Sequence, residues 1–238
     1  MSRNSFVVPS WVSDLMEIRR TANAGVLLKM DGVSILLDGV CREVESYLAT
    51  PPEERTRLSE SWPDILAFTH RHKDHYDPDF AADFQKQTNG VILGPGDITG
   101  CNIIRTPVNI GGVTVSSVES RHIGKTEADL GHLSFIIKGS ACVWFLGDAS
   151  PMQWRKKEDL PRPDVLMIPY AYATTQSAWE LTKSLGAETV VLLHLPEKNN
   201  DPYDLRCAVY STTQASPGPE IWIPEMGQTL QIGYIPCI

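Results

Sequence analysis

At residues 69–77 the chain contains the sequence THRHKDHYD, and this stretch decides how the other segments are interpreted. It places three of the six histidines, together with Asp74, in the order His-x-His-x-Asp-His. The apolar run at 65–68 before it predicts a buried strand. The Asp77-Pro78 pair after it predicts the start of a helix, with Asp77 as the cap. We therefore expect these histidines on a loop that joins a strand to a helix.

The spacing of these residues favours a metal site. Neutral imidazole and carboxylate groups are ligands for Zn²⁺ and neighbouring transition metals. His70 and His72 are two positions apart, so in extended backbone their side chains point to the same side. Asp74 and His75 follow the bend and can turn toward a second ion. The alternative is a solvated polar loop whose histidines bind nothing, but the density of potential ligands argues against it.

The composition sets limits on the class of protein. The chain has 238 residues, of which 42% are hydrophobic and 21% charged, as in an ordinary globular enzyme. No linker-like or low-complexity stretch divides it, so we predict a single domain over residues 1–238, with 1–15 as an N-terminal extension. The sequence has no apolar run near the roughly 18 residues of a membrane span, and its N-terminus lacks the apolar segment of a signal peptide. We therefore expect a cytoplasmic protein without a membrane partner.

The net charge limits the kinds of binding partner, and the cysteine content indicates the state of the thiols. The net charge of −8 disfavours nucleic acid, because phosphate binding normally uses a basic face. The five cysteines are scattered and include no Cys-x-x-Cys pair, so they fit free thiols better than a disulfide framework. We expect a small-molecule substrate. The sequence does not indicate an oligomeric state.

The other predicted elements are short strands with a few helices between them. Residues 26–37 form a hairpin with an Asp-Gly turn, and residues 177–185 form a helix closed by a glycine. Residues 41–62 are polar and predict one or two helices broken at Pro51-Pro52, which form part of a pocket wall. This pattern predicts an α+β fold in which two sheets pack face to face with helices outside.

Four further polar residues each follow an apolar strand: Asp38, His122, Asp148 and His194. Taken singly, each has a plain structural explanation, since aspartates are common in turns and single histidines are often structural. Taken with the first cluster, they complete a set of five imidazoles and two carboxylates that could bridge. That set suits two adjacent metal ions with open positions for water.

The order of these motifs resembles the metallo-β-lactamase superfamily from about Met16 to the C-terminus. The acid Asp38 resembles the first motif, and THRHKDH at 69–75 the second. Three later segments resemble the third, fourth and fifth motifs in turn: SRHIG at 120–124, FLGDA at 145–149 and LLHLP at 192–196. Within the superfamily, the chain most resembles the ascorbate-6-phosphate-lactonase-like branch of small hydrolases, because of its compact length and its initial hairpin followed by Asp38.

The resemblance implies a four-layer αββα sandwich with a dinuclear site at one edge of its two sheets. It assigns one ion to His70, His72 and His122. It assigns the other ion to Asp74, His75 and His194, with Asp148 bridging the two. His132 resembles a histidine that follows the third motif without binding metal, so it stays outside this set.

A site of this kind predicts a hydrolase. A water shared by two cations supplies hydroxide at neutral pH, which could cleave a small ester, lactone or phosphodiester-like substrate. Asp74 is the expected catalytic residue, because it can orient the nucleophile and accept its proton. Asp38 is expected to support the 69–77 loop, called here the metal loop, without touching an ion. We expect two divalent ions, Zn²⁺ first, with Mn²⁺ or iron as alternatives for a site of nitrogen and oxygen ligands.

Substrate contacts are predicted from position alone. Tyr170, Tyr172, Thr174 and Thr175 follow a strand that should end at the same edge of the sheet. The alternative is a loop packed by its tyrosines. Three other functions stay open: a metal-dependent nuclease, a non-catalytic metal-binding or regulatory member of the same fold, and a di-iron redox protein.

Overall fold

The computed structural model of the protein describes residues 15–45, 47–124, 130–156 and 159–233. The predicted N-terminal extension lies outside these residues, except for Leu15, which already belongs to the first strand. No helix in the described ranges is long and apolar enough to span a bilayer.

In the described residues, fourteen strands, labelled here β1 to β14 in chain order, form two seven-stranded sheets. The first sheet has the order β14-β1-β2-β3-β4-β5-β6 and the second the order β13-β12-β11-β10-β9-β8-β7. The strands of the first sheet are β1 Leu15–Arg20, β2 Val26–Met30, β3 Val33–Leu37, β4 Ile65–Ala67, β5 Val91–Leu93, β6 Ile103–Ile104 and β14 Thr229–Gly233. Those of the second sheet are β7 Val108–Ile110, β8 Val113–Glu119, β9 Leu133–Lys138, β10 Cys142–Phe145, β11 Val165–Pro169, β12 Thr189–Leu193 and β13 Glu220–Trp222.

Within the part of the chain that the structure describes, four α-helices cover the outer faces of the two sheets. They are α1 Pro52–Glu60, α2 Pro78–Thr88, α3 Gln176–Ser184 and α4 Leu205–Ala215. Short 3₁₀ helices lie at Pro151–Lys156 and Tyr170–Tyr172.

Local sequence explains several of these elements. Asp31 and Gly32 have positive φ angles of 53° and 77°, the geometry of the tight turn that Asp-Gly favours between β2 and β3. At the start of α2, the Asp77 carboxylate accepts hydrogen bonds from the backbone N–H groups of Asp79 and Phe80. These observations confirm the predicted hairpin and the predicted helix start.

Residues 41–62 contain one helix among the described residues, α1, which begins at Pro52 and agrees with the predicted break at Pro51-Pro52. One other segment differs from prediction. Helix α4 was not predicted, because its sequence LRCAVYSTTQA buries only Val209 and so carries a weak apolar pattern.

Three apolar clusters separate the layers. The largest lies between the two sheets and includes Ile35, Phe135 and Met167. A second packs the outer face of the second sheet against α3 and α4, where Trp179 is fully buried. A third packs the first sheet against α1 and α2. The layers are therefore helix, sheet, sheet and helix, which confirms the predicted α+β fold with its four-layer αββα order.

Candidate metal centre

The predicted site residues follow strand ends at one edge of the sandwich. In the first sheet, Asp38 follows β3 and the 69–77 loop begins just after β4. In the second sheet, His122, Asp148 and His194 follow β8, β10 and β12. The pair β3-β4 is parallel, as are β10-β11 and β11-β12, so their carboxyl ends point the same way. Polar groups at such ends commonly form ligand sites in sheets of this kind.

The 69–77 loop folds tightly and is tied to the second sheet. The carbonyl oxygen of His72 accepts hydrogen bonds from the backbone N–H groups of His75, at 3.0 Å, and Tyr76, at 2.8 Å. The N–H of Leu133 in β9 donates to the carbonyl oxygen of Thr69 at 2.9 Å. The loop is thus fixed against the opposite sheet.

The side chains form overlapping groups with the spacing of metal ligands. His70, His72 and His122 bring one ligand atom each within 4.8 Å of one another, and so do Asp74, His75 and His194. The structure therefore places together both triplets that the resemblance implied. A further group with the same spacing joins Asp38 to His70 and His75.

The Asp148 carboxylate lies between the two triplets. Its Oδ2 atom is 3.5 Å from Nε2 of His122, which belongs to the first triplet. The same oxygen is 3.4 Å from Nε2 of His75 and 3.4 Å from Nε2 of His194, which belong to the second. Two ligands that each lie about 2.1 Å from one ion are separated by roughly 3.0–3.4 Å in tetrahedral or octahedral geometry. These separations match a shared ligand.

Hydrogen bonds orient three of the imidazole rings. His75 donates from Nδ1 to Oδ2 of Asp38 at 2.8 Å, because a carboxylate can only accept. Thr69 donates its hydroxyl to the same oxygen at 2.6 Å, so its Oγ1 can accept from Nδ1 of His70 at 3.0 Å. His122 likewise donates from Nδ1 to the carbonyl oxygen of Ile123. In the neutral form of each ring the proton is on Nδ1, which leaves Nε2 as the atom that can bind metal. Burial opposes the charged form of His75, but Asp148 and Asp38 raise its pKa well above the ordinary value, so metal binding at its Nε2 displaces a proton.

The fit to a metal is supported by buried nitrogens that lack partners. Within the described part of the chain, Nε2 of His75, His122 and His194 is buried and makes no hydrogen bond. Leaving several buried polar atoms unpaired is costly, and a cation that takes up their lone pairs removes that cost. The donor set and its orientation therefore fit divalent metal ions.

Charges in the site act strongly on one another. Burial disfavours the charged form of His194, but the carboxylates of Asp148 and Asp74 outweigh it and raise the pKa of His194 to about 9. For Asp148, burial opposes ionisation, yet His194 and His75 hold its pKa well below the usual range. Burial lowers the pKa of His70 well below its ordinary value. The centre thus contains anionic carboxylates that attract either protons or metal cations.

Asp38 supports the loop from behind the centre. Its carboxylate is fully buried and also accepts from the N–H of Thr69 at 2.7 Å. One acid thereby fixes the backbone before the His-x-His motif and the ring of His75. Its predicted supporting role stays a proposal, and Thr69, its main partner, was not among the predicted residues.

His132 lies beside the centre and holds the Asp148 backbone. Its Nε2 accepts a hydrogen bond from the N–H of Asp148 at 3.1 Å, so its Nδ1 donates to Oγ of Ser120 at 2.7 Å. Its ring stacks on that of His70, with centroids 5.0 Å apart. Burial lowers the pKa of His132 to about 3, so the ring is neutral.

Gly147, which precedes Asp148, can approach Thr69 closely because it has no side chain. Its φ angle is +53°, a left-handed conformation that favours glycine. A Cβ atom at this position would lie 2.6 Å from Cγ2 and Oγ1 of Thr69. The residue before Asp148 must therefore be small for the two sheets to meet.

Two tyrosines pack against His194. The Tyr47 ring contacts it edge-on with centroids 4.5 Å apart, and the Tyr170 ring lies at 5.9 Å. Burial first, and then the Tyr170 hydroxyl, raise the pKa of Tyr47 above its ordinary value. Tyr47 was not predicted as a site residue, and no local signal in the sequence identifies it. His194 itself has a φ angle of 60°, which is unusual for a residue other than glycine.

The four predicted substrate contacts have different environments. Tyr170 is half-buried beside His194, and Thr174 is half-buried farther along the loop. Thr175 is exposed, and its hydroxyl accepts from the N–H of Ala178 as the cap of α3. Tyr172 is fully buried; its hydroxyl donates to the carbonyl oxygen of Ala149 and accepts from the indole of Trp154. The structure places Tyr172 in the core outside the second sheet, away from any substrate, so we omit it from the proposed contacts.

A family model described as "Beta-lactamase superfamily domain" matches residues 17–194, which is most of the chain and includes every predicted metal ligand. The chain belongs to the metallo-β-lactamase superfamily. The match confirms the resemblance at the level of the superfamily. The lactonase-like branch stays a prediction, and a search of curated protein sequences finds no significant match.

Solved structures show the same superfamily fold. Igni18, a novel metallo hydrolase from the archaeon Ignicoccus hospitalis, is 18% identical and has a TM-score of 0.63, with 93% of this chain and 100% of that chain covered. The isothiocyanate hydrolase from Delia radicum gut bacteria is 15% identical with a TM-score of 0.68, covering 92% and 100%. CmlA, a diiron β-hydroxylase from Streptomyces venezuelae, is 17% identical with a TM-score of 0.63, covering 91% of this chain and 54% of that chain. At these identities the likeness shows the fold alone.

Proposed function

We propose that this protein is a metal-dependent hydrolase that cleaves a small ester, lactone or phosphodiester-like substrate at a centre of two divalent ions. The observation that carries the proposal is the position of Oδ2 of Asp148, 3.4–3.5 Å from ring nitrogens of both triplets. A carboxylate in that position could be shared by two ions, and a single-ion site would not need it. Solved structures with this fold include one protein named as a metallo hydrolase and another named as an isothiocyanate hydrolase, which agrees with the proposal.

Asp74 is the proposed catalytic base. Its Oδ2 lies 3.2 Å from Nε2 of His194, and the side chain is only partly buried. Burial opposes its ionisation, but His194 and His75 lower its pKa, so the carboxylate is charged at neutral pH. A charged, accessible carboxylate beside the centre can accept a hydrogen bond from an attacking water and then its proton.

The reaction divides between the ions and the side chains. Two divalent ions, when bound, lower the pKa of a shared water toward neutrality and polarise the substrate oxygen. In ester or lactone hydrolysis the water oxygen bonds to the carbonyl carbon, and its proton passes to Asp74. The bond from that carbon to the leaving oxygen then breaks, and the alkoxide takes the proton back from Asp74. Asp38 and His132 keep His75 and Asp148 in place during these steps.

The first test combines metal content with turnover. Protein purified without added metal, then supplemented with Zn²⁺, Mn²⁺ or Fe²⁺, would be analysed for bound metal and assayed with lactone, ester, phosphodiester and single-stranded RNA substrates. We expect about two ions per chain, and loss of the second ion and of turnover in Asp148→Ala. His72→Ala should lose the first triplet's ion. Asp83→Asn, which alters an exposed carboxylate on α2, is the matched control and should behave as wild type.

Each outcome bears on a different part of the proposal. Failure to bind metal after supplementation would overturn it entirely. Two ions without turnover of any substrate would favour the non-catalytic alternative. Cleavage of RNA alone would favour the nuclease.

A redox function with two iron ions is the second candidate. The candidate ligands are nitrogen and oxygen atoms, a set that can bind iron or zinc. CmlA shows that a diiron β-hydroxylase contains a domain of this fold. Oxygen uptake by the iron-loaded protein in the presence of a reductant, with no hydrolysis by the zinc-loaded protein, would favour this candidate.

A further inference from the structure

Tyr47 and Tyr170 form a pair of phenol groups at the Asp74–His75–His194 side of the centre. Both rings pack on His194, with centroids 4.5 and 5.9 Å from its own. Burial first, then the Tyr170 hydroxyl and the carboxylates of Asp148 and Asp74, raise the pKa of the Tyr47 phenol. Tyr47 and Tyr170 are both half-buried.

Backbone hydrogen bonds hold Tyr47 in this position. Tyr47 and Val44 exchange backbone hydrogen bonds of 2.8 and 3.0 Å. Farther out, the N–H of Thr50 donates to the carbonyl oxygen of Cys41 at 3.2 Å, and the N–H of Cys41 donates to Oγ1 of Thr50 at 3.0 Å. The N–H of Arg42 then donates to the carbonyl oxygen of Lys73 in the metal loop, at 2.7 Å. A loop closed this way presents its tyrosine without a large loss of entropy on binding.

Tyr170 is fixed from the opposite sheet. It begins the 3₁₀ turn that follows β11, and its carbonyl oxygen accepts from the N–H of Ala173 at 2.9 Å. Two positions later, the buried hydroxyl of Tyr172 anchors the turn to Ala149 at 2.8 Å. The two phenols therefore come from separate, rigid supports and meet over one metal ligand.

The charges around the pair limit the substrate. In the described part of the chain, the groups that act most strongly on Asp74 and Asp148 are histidines and, on Asp74, the Asp148 carboxylate; no lysine or arginine is among them. A phosphodiester is anionic before reaction, and proteins usually meet its charge with arginine or lysine. A carbonyl group is neutral before reaction and gains one negative oxygen as water adds. Neutral O–H donors suit that change.

We propose that Tyr47 and Tyr170 donate hydrogen bonds to the carbonyl oxygen of the substrate and thereby select esters or lactones over phosphodiesters. This inference rests on the hydrolase function proposed above and names its substrate class. When the water oxygen bonds to the carbonyl carbon, the electron pair of the C=O bond moves to the oxygen, and the phenols stabilise that charge. When the leaving oxygen departs, that electron pair returns to re-form the C=O bond.

The test uses the metal-loaded full chain and two single variants, Tyr47→Phe and Tyr170→Phe. Steady-state rates would be measured with p-nitrophenyl acetate, δ-valerolactone and bis(p-nitrophenyl) phosphate. Loss of one donor to a developing oxyanion should lower kcat for the ester and the lactone roughly 100-fold with little change in KM. The phosphodiester rate should change less than threefold. Tyr210→Phe, at an exposed position on α4, is the matched control.

A binding measurement gives a readout that does not depend on turnover. Hydrated 1,1,1-trifluoroacetone resembles the tetrahedral product of water addition, and its dissociation constant can be measured by calorimetry. We expect each Phe variant to weaken its binding about tenfold, with metal content unchanged.

The inference and the hydrolase proposal fail in different ways. Equal losses for ester and phosphodiester, or no losses, would overturn the tyrosine inference and leave the hydrolase standing. So would a wild-type protein that cleaves only the phosphodiester. If the wild-type protein cleaves none of the substrates, trifluoroacetone binding decides: binding that is absent, or unaffected by both Phe variants, overturns the inference.

Discussion

Replacing Asp38 with asparagine tests how the metal loop is oriented. The carboxylate accepts three hydrogen bonds, from the N–H of Thr69 at 2.7 Å, from its hydroxyl at 2.6 Å and from Nδ1 of His75 at 2.8 Å. Asparagine has the same shape, but one oxygen becomes an NH₂ donor. If the oxygen stays on the N–H of Thr69, the NH₂ group faces Oγ1 of Thr69 and Nδ1 of His75.

The new donors reverse the tautomers of the site. Nδ1 of His75 then accepts a hydrogen bond, so its proton moves to Nε2, the atom that faces Asp148 and Asp74. The Thr69 hydroxyl, now an acceptor from asparagine, donates its proton to Nδ1 of His70, which moves the His70 proton to Nε2 as well. Metal binding requires both changes to be undone and leaves buried donors facing one another, at a cost of about 1–3 kcal/mol.

That cost corresponds to a metal affinity lower by roughly 10- to 100-fold, at about 1.4 kcal/mol for each factor of ten. Competition with a chromophoric chelator would measure the affinity, and ¹⁵N NMR of the histidine rings in metal-free protein would identify the tautomers. Asp64→Asn is the matched control, because Asp64 also accepts two hydrogen bonds in the first sheet, from Ser34. An unchanged affinity together with His75 still protonated at Nδ1 would refute the reasoning.

Three further predictions concern the support of the site and its response to pH. Gly147→Ala should lower the free energy of unfolding by at least about 1–2 kcal/mol in urea denaturation, because the left-handed backbone disfavours a side chain and the new methyl group meets Thr69; an unchanged midpoint would contradict this. His132→Leu should cost about 1–3 kcal/mol by the same measurement, since the buried N–H of Asp148 loses its acceptor, and His132→Gln should recover part of it; equal stability of the two variants would count against the role of that hydrogen bond. In chelator-treated protein, the raised pKa of His194 means that its charged form contributes stability fully below its ordinary pKa of about 6.5 and loses it as the pH rises through about 9. Urea denaturation at pH 6 and pH 10 should therefore show a decrease that is smaller in a His194→Gln variant; the remainder comes from His75, whose pKa Asp148 and Asp38 also raise against the effect of burial. Metal affinity should rise over the same range because protons compete with the ions.

The sequence predicted which candidate ligands lie together, because their signals are local or repeated; that they bind metal stays a prediction. The His-x-His-x-Asp-His order lies within six positions, and the other ligands repeat one pattern, a polar residue directly after an apolar strand. Parallel strands with aligned ends then bring these residues to one edge. The layers followed from similar local signals, such as the Asp-Gly turn and the Asp77 cap.

The features that were missed depend on contacts between distant segments. Tyr47 reaches His194 only because its loop is closed by Thr50 and docked on Lys73, and neither contact leaves a pattern in the sequence. Tyr172 follows a strand that ends at the site, as predicted, but the 3₁₀ turn after β11 directs it into the core. Position along the chain identifies which edge a loop occupies and leaves open the direction of each side chain.

The candidate ligands are divided between the two sheets, so the site can be completed only after both sheets have been synthesised. The 69–77 loop emerges from the ribosome with the first sheet, long before His194 is added at the end of β12. The strand β14 pairs with β1, so the first sheet is complete only after His194 has been added. A nascent chain that stalls before β12 therefore carries part of the candidate ligand set and an open sheet edge, the kind of surface on which chains associate wrongly.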